Sequence, residues 1–427
     1  MEYGSNNWIR DGVCLSPHLL GGILLTAALV GLSTGYLGGV GVPSVPFKLP
    51  GLGILKKRKH KKRVRVFIDG CFDLMHYGHA NALRQAKSLG DELVVGVIGD
   101  EGILANKGPP VFSVEERLAL VRGLKWVDEV IPNIPYSLTK QLMETLLNEH
   151  QIDYIVHGDD PCILPDGTDG YALAKKAGRY KQIKRTEGVS STDIVGRILS
   201  TGKDTRFCEG NSCPTLHVGI SDREHSPKES WTKVAHLSNF LPTSRRILQF
   251  SNDKVPAPDA LVVYIDGAFD LFHAGHVEIL QIARQLGDFL LVGIYTDQTV
   301  SKLRGAQYPL MNLHERTLSV LSCRYVDEAI IGAPWEVTKD MIITFNVSLV
   351  VHGTVSEPNP YSNGETDPYA IPKRMGIFRI LDSPRDISTS SVAERIVANH
   401  QSFMRRNAKK VESEKKYYEG KAYVSED

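Results

Sequence analysis

Apolar and polar positions alternate in strand and helix periods over most of the chain, most clearly in residues 64–100, VRVFIDGCFDLMHYGHANALRQAKSLGDELVVGVIGD. Val64 to Ile68 is a β-branched and aromatic run that predicts a strand, and Asp69-Gly70 is read as its end. After the turn comes His76-Tyr77-Gly78-His79, then strong helix formers with Ala82, Leu83, Ala86 and Leu89 at helical spacing. Gly90 is expected to stop this helix, and Asp91 to Gly96 forms a second apolar strand. The pattern predicts a βαβ unit with two imidazoles at the opening turn of its helix. Unpaired backbone N–H groups and the helix dipole favour an anion there, and the three-residue spacing puts both rings on one face.

The chain repeats this unit. Residues 262–297, VVYIDGAFDLFHAGHVEILQIARQLGDFLLVGIYTD, place Asp266, His273, His276 and Asp297 at a constant offset from Asp69, His76, His79 and Asp100. A duplicated fold alone has to keep glycines and apolar positions; it has no need of both histidines.

Other periodic segments complete each copy. In the first, Gly102 to Ser113 reads as a loop carrying Lys107-Gly108-Pro109-Pro110, and Glu115 to Leu124 as a helix with Ser113 and Glu116 forming a capping box. Trp126 to Val130 reads as a strand, Lys140 to Glu149 as a helix and Tyr154 to Val156 as a strand ending in His157-Gly158-Asp159-Asp160-Pro161. Arg185 to Asp193, RTEGVSSTD, opens a helix over Ile194 to Leu199. Hydroxyls at a helix start serve either as N-caps or as phosphate donors. In the second copy Tyr325 to Glu328 answers Trp126 to Glu129, His352-Gly353 answers His157-Gly158, and Ile387 to Ser390 answers Val189 to Thr192. The expected class is α/β: two tandem Rossmann-like domains, 64–200 and 259–399, each a parallel sheet flanked by helices with its ligand beyond the carboxyl ends of the strands. Residues 201–258 read as a linker with a helical or extended piece near Thr243 to Phe250, and 400–427 as a charged tail, frayed or disordered.

Residues 1–63 differ. Leu15 to Phe47 contains no Asp, Glu, Lys or Arg, and Leu19 to Val42 is long enough to cross a bilayer as a helix. The basic block Lys56 to Arg63, KKRKHKKR, would hold the following domains on the cytosolic side. A Gly-rich leader, a nuclear signal or a solvated linker are the competing readings, and Glu2 and Asp11 beside Arg10 disfavour a secretory signal peptide. An apolar N-terminal helix with a basic flank resembles signal anchors of the mitochondrial outer membrane, with the endoplasmic reticulum as the alternative. A net charge of +1 with 23% charged residues gives no sign of nucleic-acid binding. Six cysteines without a CxxC pair suggest reduced thiols.

The ordered set GCFDLMHYGH, the Asn106-Lys107-Gly108 loop, WVDE, HGDDP and RTEGVSSTD resembles the cytidylyltransferases that activate phosphocholine, phosphoethanolamine and glycerol phosphate. The resemblance covers residues 64–399, and the duplication with HGDDPC points to the phosphoethanolamine branch. Class I aminoacyl-tRNA synthetases share the HxGH turn, but a KMSKS-type loop and a tRNA-binding basic domain are missing from this sequence. The resemblance implies transfer of CMP from CTP to phosphoethanolamine, with Mg²⁺, and implies that Cys71-Phe72 frame the nucleotide with Asp73 behind the HxGH turn. A phosphate nucleophile needs no Ser-His or Cys-His activation; what it needs is donors and positive charge around the phosphates as charge moves onto pyrophosphate. His76, His79, Lys107 and Arg185 are the candidate catalytic residues, with His157, Gly158, Thr186, Ser190, Ser191 and Thr192 completing the CTP site. Asp159, Asp160 and Tyr136 suit a primary ammonium, which donates hydrogen bonds, better than a quaternary one.

The second copy can dock a nucleotide at Ala268, Phe269, His273, His276, Arg304, His352, Gly353, Thr354, Val355, Asp386, Ile387, Ser388, Thr389 and Ser390, but it departs from the first. Arg304 stands where Lys107 is expected, Thr354-Val355 replace the two aspartates, and Ser383-Pro384-Arg385-Asp386 replaces Arg185-Thr186-Glu187-Gly188. It is therefore expected to bind CTP, or to stabilise and regulate the first copy, with little turnover. A transferase for another phospho-alcohol and a non-catalytic membrane scaffold are the alternatives; a homodimer is left open.

Overall fold

The computed structural model describes residues 63–164, 167–204, 242–357 and 367–420. The predicted span Leu19 to Val42, nearly all of the basic block, residues 205–241 of the linker and 421–427 of the tail lie outside the described residues. Among the described residues no helix is long and apolar enough to cross a membrane.

The first copy runs β1 (Arg65–Gly70), α1 (Tyr77–Lys87), β2 (Glu92–Ile98), α2 (Asp100–Lys107), α3 (Val114–Arg122), β3 (Glu129–Ile134), α4 (Lys140–Asn148), β4 (Tyr154–Gly158), α5 (Ala172–Lys176), β5 (Tyr180–Ile183) and α6 (Ser191–Asp204). Its five parallel strands lie in the order β3-β2-β1-β4-β5. Strand order reverses between β1 and β4, so their carboxyl ends flank the crevice where ligands enter such sheets. After α7 (Pro242–Phe250), the second copy repeats the plan: β6 (Val262–Gly267), α8 (Ala274–Arg284), β7 (Phe289–Tyr295), α9 (Asp297–Arg304), α10 (Leu313–Ser322), β8 (Glu328–Ala333), α11 (Lys339–Thr344), β9 (Val347–Gly353), α12 (Ala370–Arg374), β10 (Phe378–Leu381) and α13 (Thr389–Ala398). Its sheet order, β10-β9-β6-β7-β8, has the same topology. A long helix, α14 (His400–Gly420), follows.

Several boundaries differ from the sequence expectation. Asp69-Gly70 are the last two residues of β1, as expected, and still pair with β2, opposite Gly96 and Val97; other limits shift. Gly90 lies beyond the end of α1, and its role is close approach: a Cβ there would stand 2.5 Å from Val66 Cγ2 and 2.8 Å from the Val64 carbonyl. The expected loop from Gly102 is helical as far as Lys107, because Asp100 and Glu101 complement the helix start and Gly108 takes the left-handed exit, φ +93°. Residues 126–128 form a turn, and the third strand begins only at Glu129. The capping box of Ser113 and Glu116 forms as expected. The tail is an ordered helix through Gly420, seated on the rest of the protein by Phe403, which is 1% exposed.

The copies share one core that contains Leu120, Val121 and Leu124 of the first and Val277, Leu280 and Cys323 of the second. Gly123 is required at this contact, since a Cβ would come within 2.5 Å of Val277 Cγ1. Two reciprocal ion pairs tie the copies together: Arg197 forks onto Glu315 at 2.8 and 3.0 Å, and Arg395 forks onto Glu116 at 2.8 and 3.0 Å. Such bidentate pairs fix orientation as well as contributing energy.

Candidate active site

A cavity of about 830 Å³ opens at the carboxyl ends of β1 and β4. It gathers His76, His79, Lys107 and Arg185 with Cys71, Phe72, Asp73, His157, Gly158, Asp160, Thr186, Ser190, Ser191 and Thr192. Asp159 and Tyr136 are not on its wall: Asp159 accepts from the Arg185 backbone N–H at 2.9 Å, and Tyr136 lies beside Lys107, whose Nζ is 5.6 Å from the ring centre.

The geometry of α1 fixes the tautomers of the two histidines. His76 is the N-cap, and its Nδ1 accepts from the Gly78 N–H at 3.1 Å. His79 Nδ1 accepts from the His76 N–H at 3.4 Å. Burial, then the neighbouring positive charges, push both imidazoles below their ordinary values, His79 to about 4. Both rings are therefore neutral near pH 7; with Nδ1 accepting, each carries its proton on Nε2 and can donate it. Gly78 allows the pair to form, because a Cβ there would sit 2.8 Å from the His76 ring and 2.9 Å from Val189 Cγ1. Phe72 and Leu74 take left-handed conformations, φ 51° and 49°, and Phe269 and Leu271 repeat them at 50° and 46°. Such strain in non-glycine residues clusters at functional turns.

Asp73 binds the loop after Lys107, accepting from the Val111 and Phe112 N–H groups, each at 3.0 Å to Oδ1. Lys107, at the end of α2, places Nζ 3.5 Å from Cys71 Sγ. Ser190 caps α6, accepting from Asp193 N–H at 3.1 Å, and Ser191 donates to the Asp73 carbonyl at 3.3 Å. The N-cap reading of these hydroxyls and their place on the cavity wall hold together. Thr186 accepts from Asn81 at 2.9 Å. Cys71, Cys162 and Cys323 are free thiols.

Three supports were not visible in the motifs. Tyr171 donates to Asp69 at 2.8 Å, at the end of β1. Arg117, wholly buried, donates to the carbonyls of Cys71 and Ile98, each at 2.8 Å, tying the turn after β1 to the end of β2; Arg316 does the same in the second copy. Ser402, Arg405, Arg406, Asn407, Lys409 and Lys410 of α14 also line the cavity. The equivalent Arg117 and Arg316 within matching helices were the one available signal; the tail gave none, because its contact with residues far back in the chain is a matter of packing.

The second copy keeps the paired rings, with centres 3.7 Å apart and His276 Nδ1 accepting from the His273 N–H at 3.3 Å. Burial, then Arg304, pushes His276 down to about 3. His352 pairs through Nδ1 with the Tyr369 hydroxyl at 2.9 Å, the Ala268 carbonyl accepts from Arg316, and Thr389 donates to the Asp270 carbonyl at 3.1 Å. Phe269 and Ile387 are buried, and Asp386 is exposed. Beyond Gly353, Thr354 and Val355 bond to Ser383, at 2.9 and 3.0 Å. Where α13 starts after its Ser388 cap, however, a carboxylate of the chain itself is in place. Glu357 accepts from the Thr389 and Ser390 N–H groups, from the Ser390 hydroxyl at 2.9 Å and from Arg304 at 3.0 Å. That is the donor set a phosphate would use.

Comparison with known proteins finds the same duplication. Residues 67–197 and 264–395 match the family model described as Cytidylyltransferase-like. A protein of Arabidopsis thaliana named ethanolamine-phosphate cytidylyltransferase is 63% identical over 380 residues, 88% of this chain and 89% of that one. Proteins of the same name from Dictyostelium discoideum and Mus musculus are 46% identical over 364 residues, covering 84% of this chain and 98% of that one, and 44% identical over 386 residues, covering 86% and 93%. With a buried imidazole pair at a helix start in each of two parallel sheets, and with both sheets matched, the chain belongs to the cytidylyltransferase-like family.

Proposed function

We propose that the first copy transfers the cytidylyl group of CTP to phosphoethanolamine, giving CDP-ethanolamine and pyrophosphate for phospholipid synthesis. The observation that carries this reading is the pair of neutral, Nε2-protonated imidazoles at the start of α1, in one cavity with Lys107 and Arg185. A phosphate oxygen of phosphoethanolamine attacks the α-phosphorus, and the bond to the bridging oxygen of pyrophosphate breaks. The imidazole Nε2–H groups donate to the α-phosphate, while Lys107 and Arg185 meet the charge that gathers on the leaving pyrophosphate. No nucleophilic side chain is required, because the attacking phosphate is already an anion.

Mg²⁺ would enter with CTP and would supply positive charge against the phosphates. Among the described residues no group of three or more His, Cys, Asp or Glu side chains could hold a metal. Asp160 on the cavity wall offers a carboxylate to the primary ammonium, and the named relatives favour the same substrate. Supplying the protein with CTP, Mg²⁺ and phosphoethanolamine, phosphocholine or glycerol phosphate and measuring pyrophosphate tests this. Preferential consumption of phosphocholine or glycerol phosphate would overturn it.

In the same reading the second copy turns over little, since a triphosphate can dock there only after Glu357 leaves the start of α13. Leu19 to Val42 with its basic flank is read as a membrane anchor, at the mitochondrial outer membrane or the endoplasmic reticulum, with both copies in the cytosol. Release of the full chain from membranes by alkaline carbonate would count against the anchor.

A further inference from the structure

The helix that follows the second copy forms part of the first copy's cavity. Ser402, Arg405, Arg406, Lys409 and Lys410 are three and four residues apart on α14, which sets them on one helical face, and all of them line the cavity. The face is held in register from both sides. Arg406 lies 3.2 Å from Asp73 and 3.3 Å from the Pro109 carbonyl, so it grips the loop that follows Lys107. Asn407 donates to the Thr192 carbonyl at 3.2 Å, at the start of α6. Phe403, in the shared core, fixes the rotation of the helix.

The arrangement concentrates cations. Four from α14 join Lys107 and Arg185 around one solvent-open space, and Lys410 is near enough to His79 to help hold that imidazole neutral. Of the acids on the same wall, Asp73 is taken up by Arg406 and by the backbone of the Lys107 loop and Asp69 by the Tyr171 hydroxyl, which leaves the single carboxylate of Asp160 against these six cations. Converging like charges repel one another unless a polyanion neutralises them. A triphosphate, or the pyrophosphate released from it, is such a polyanion.

We infer that the cationic face of α14, Arg406 with Lys409 and Lys410, binds the triphosphate in the first copy's site, so that the segment following the second copy completes the active site of the first. This rests on a nucleoside triphosphate being the ligand of the first site, not on the choice of phospho-alcohol. It also gives the second copy a role that needs no turnover of its own: it carries and orients α14.

The test uses the full chain with Arg406→Ala, Arg406→Lys and the double variant Lys409→Ala/Lys410→Ala, and Lys415→Ala further along the same helix as control. CTP and inorganic pyrophosphate binding are measured by calorimetry with Mg²⁺, alongside the KM for each substrate and the melting temperature. Losing a charge-assisted contact is expected to weaken CTP and pyrophosphate about tenfold. The phosphoethanolamine KM and the melting temperature of the double variant should stay essentially unchanged, Arg406→Lys should recover part of the loss, and Lys415→Ala should match wild type. Unchanged CTP and pyrophosphate binding in both alanine variants would overturn the inference, as would losses that appear only together with a matching fall in melting temperature. Weakened pyrophosphate binding in a protein that does not consume phosphoethanolamine would overturn the substrate reading and leave this one standing.

Discussion

The two copies have the same sheet order, the same strained turn and the same imidazole pair, yet the donors and cations beside those rings are partnered differently. In the first, the donors at the helix start face a cavity ringed with Lys107, Arg185 and the cations of α14. In the second, the backbone donors at the start of α13, the Ser390 hydroxyl and one nitrogen of Arg304 are already held by Glu357. A fold can thus keep its frame while a single carboxylate of the chain occupies the donors at one helix start. The pair of histidines alone does not say which copy is active; the partners of the cation beside it do.

The largest effect expected from this contrast is on turnover. His79→Ala or Lys107→Ala should lower the rate by about 10²- to 10⁴-fold in folded protein, whereas His276→Ala should leave most of it. Half the activity surviving in His79→Ala, with loss only in the double variant with His276→Ala, would show two working sites.

Glu357→Ala sharpens the comparison further. The wild-type chain should bind one CTP, and the variant two, with a stability loss of about 1–3 kcal/mol from the unpaired Arg304 that added CTP restores. Two CTP per wild-type chain, in equilibrium dialysis, would contradict the role given to Glu357.

The smallest effect concerns protons, and here the copies should agree. His79 and His276 are pushed down to about 4 and about 3, so both rings should stay neutral, with unmoved NMR resonances, from pH 8 to about 5. An unfolded histidine takes up its proton near 6.5 while these folded ones do not, so each contributes stability that is present above that value and falls as pH drops toward the folded one. Asp266 and Asp270, pushed up to about 6 by burial, act in the opposite sense below pH 6 and partly offset the loss in the second copy. Titration of either imidazole near 6.5 would break the tautomer assignment, which depends on neutral rings.

Much of this was legible in order along the chain. The strands and helices around the HxGH turns follow from residue periods, and the Ser113–Glu116 box from a four-residue signature, because local hydrogen bonding dictates both. The short elements α5 and β5 had no period long enough to read. Lys107 appeared to sit in a loop because Gly108-Pro109-Pro110 dominates the local signal, although Asp100 and Glu101 start a helix that ends on it.

By itself the sequence determined the duplication, the α/β class and most of the residues that line the first copy's cavity, since these depend on side chains within a few positions of one backbone turn. Only the tertiary structure decided that Asp159 turns to the Arg185 backbone, that Glu357 plugs the second helix start and that the charged tail becomes a wall of the first cavity. Each of those joins residues far apart in the chain or settles which of several partners a charged group takes. A charge in a sequence states what it can bind; burial and distance select among the candidates.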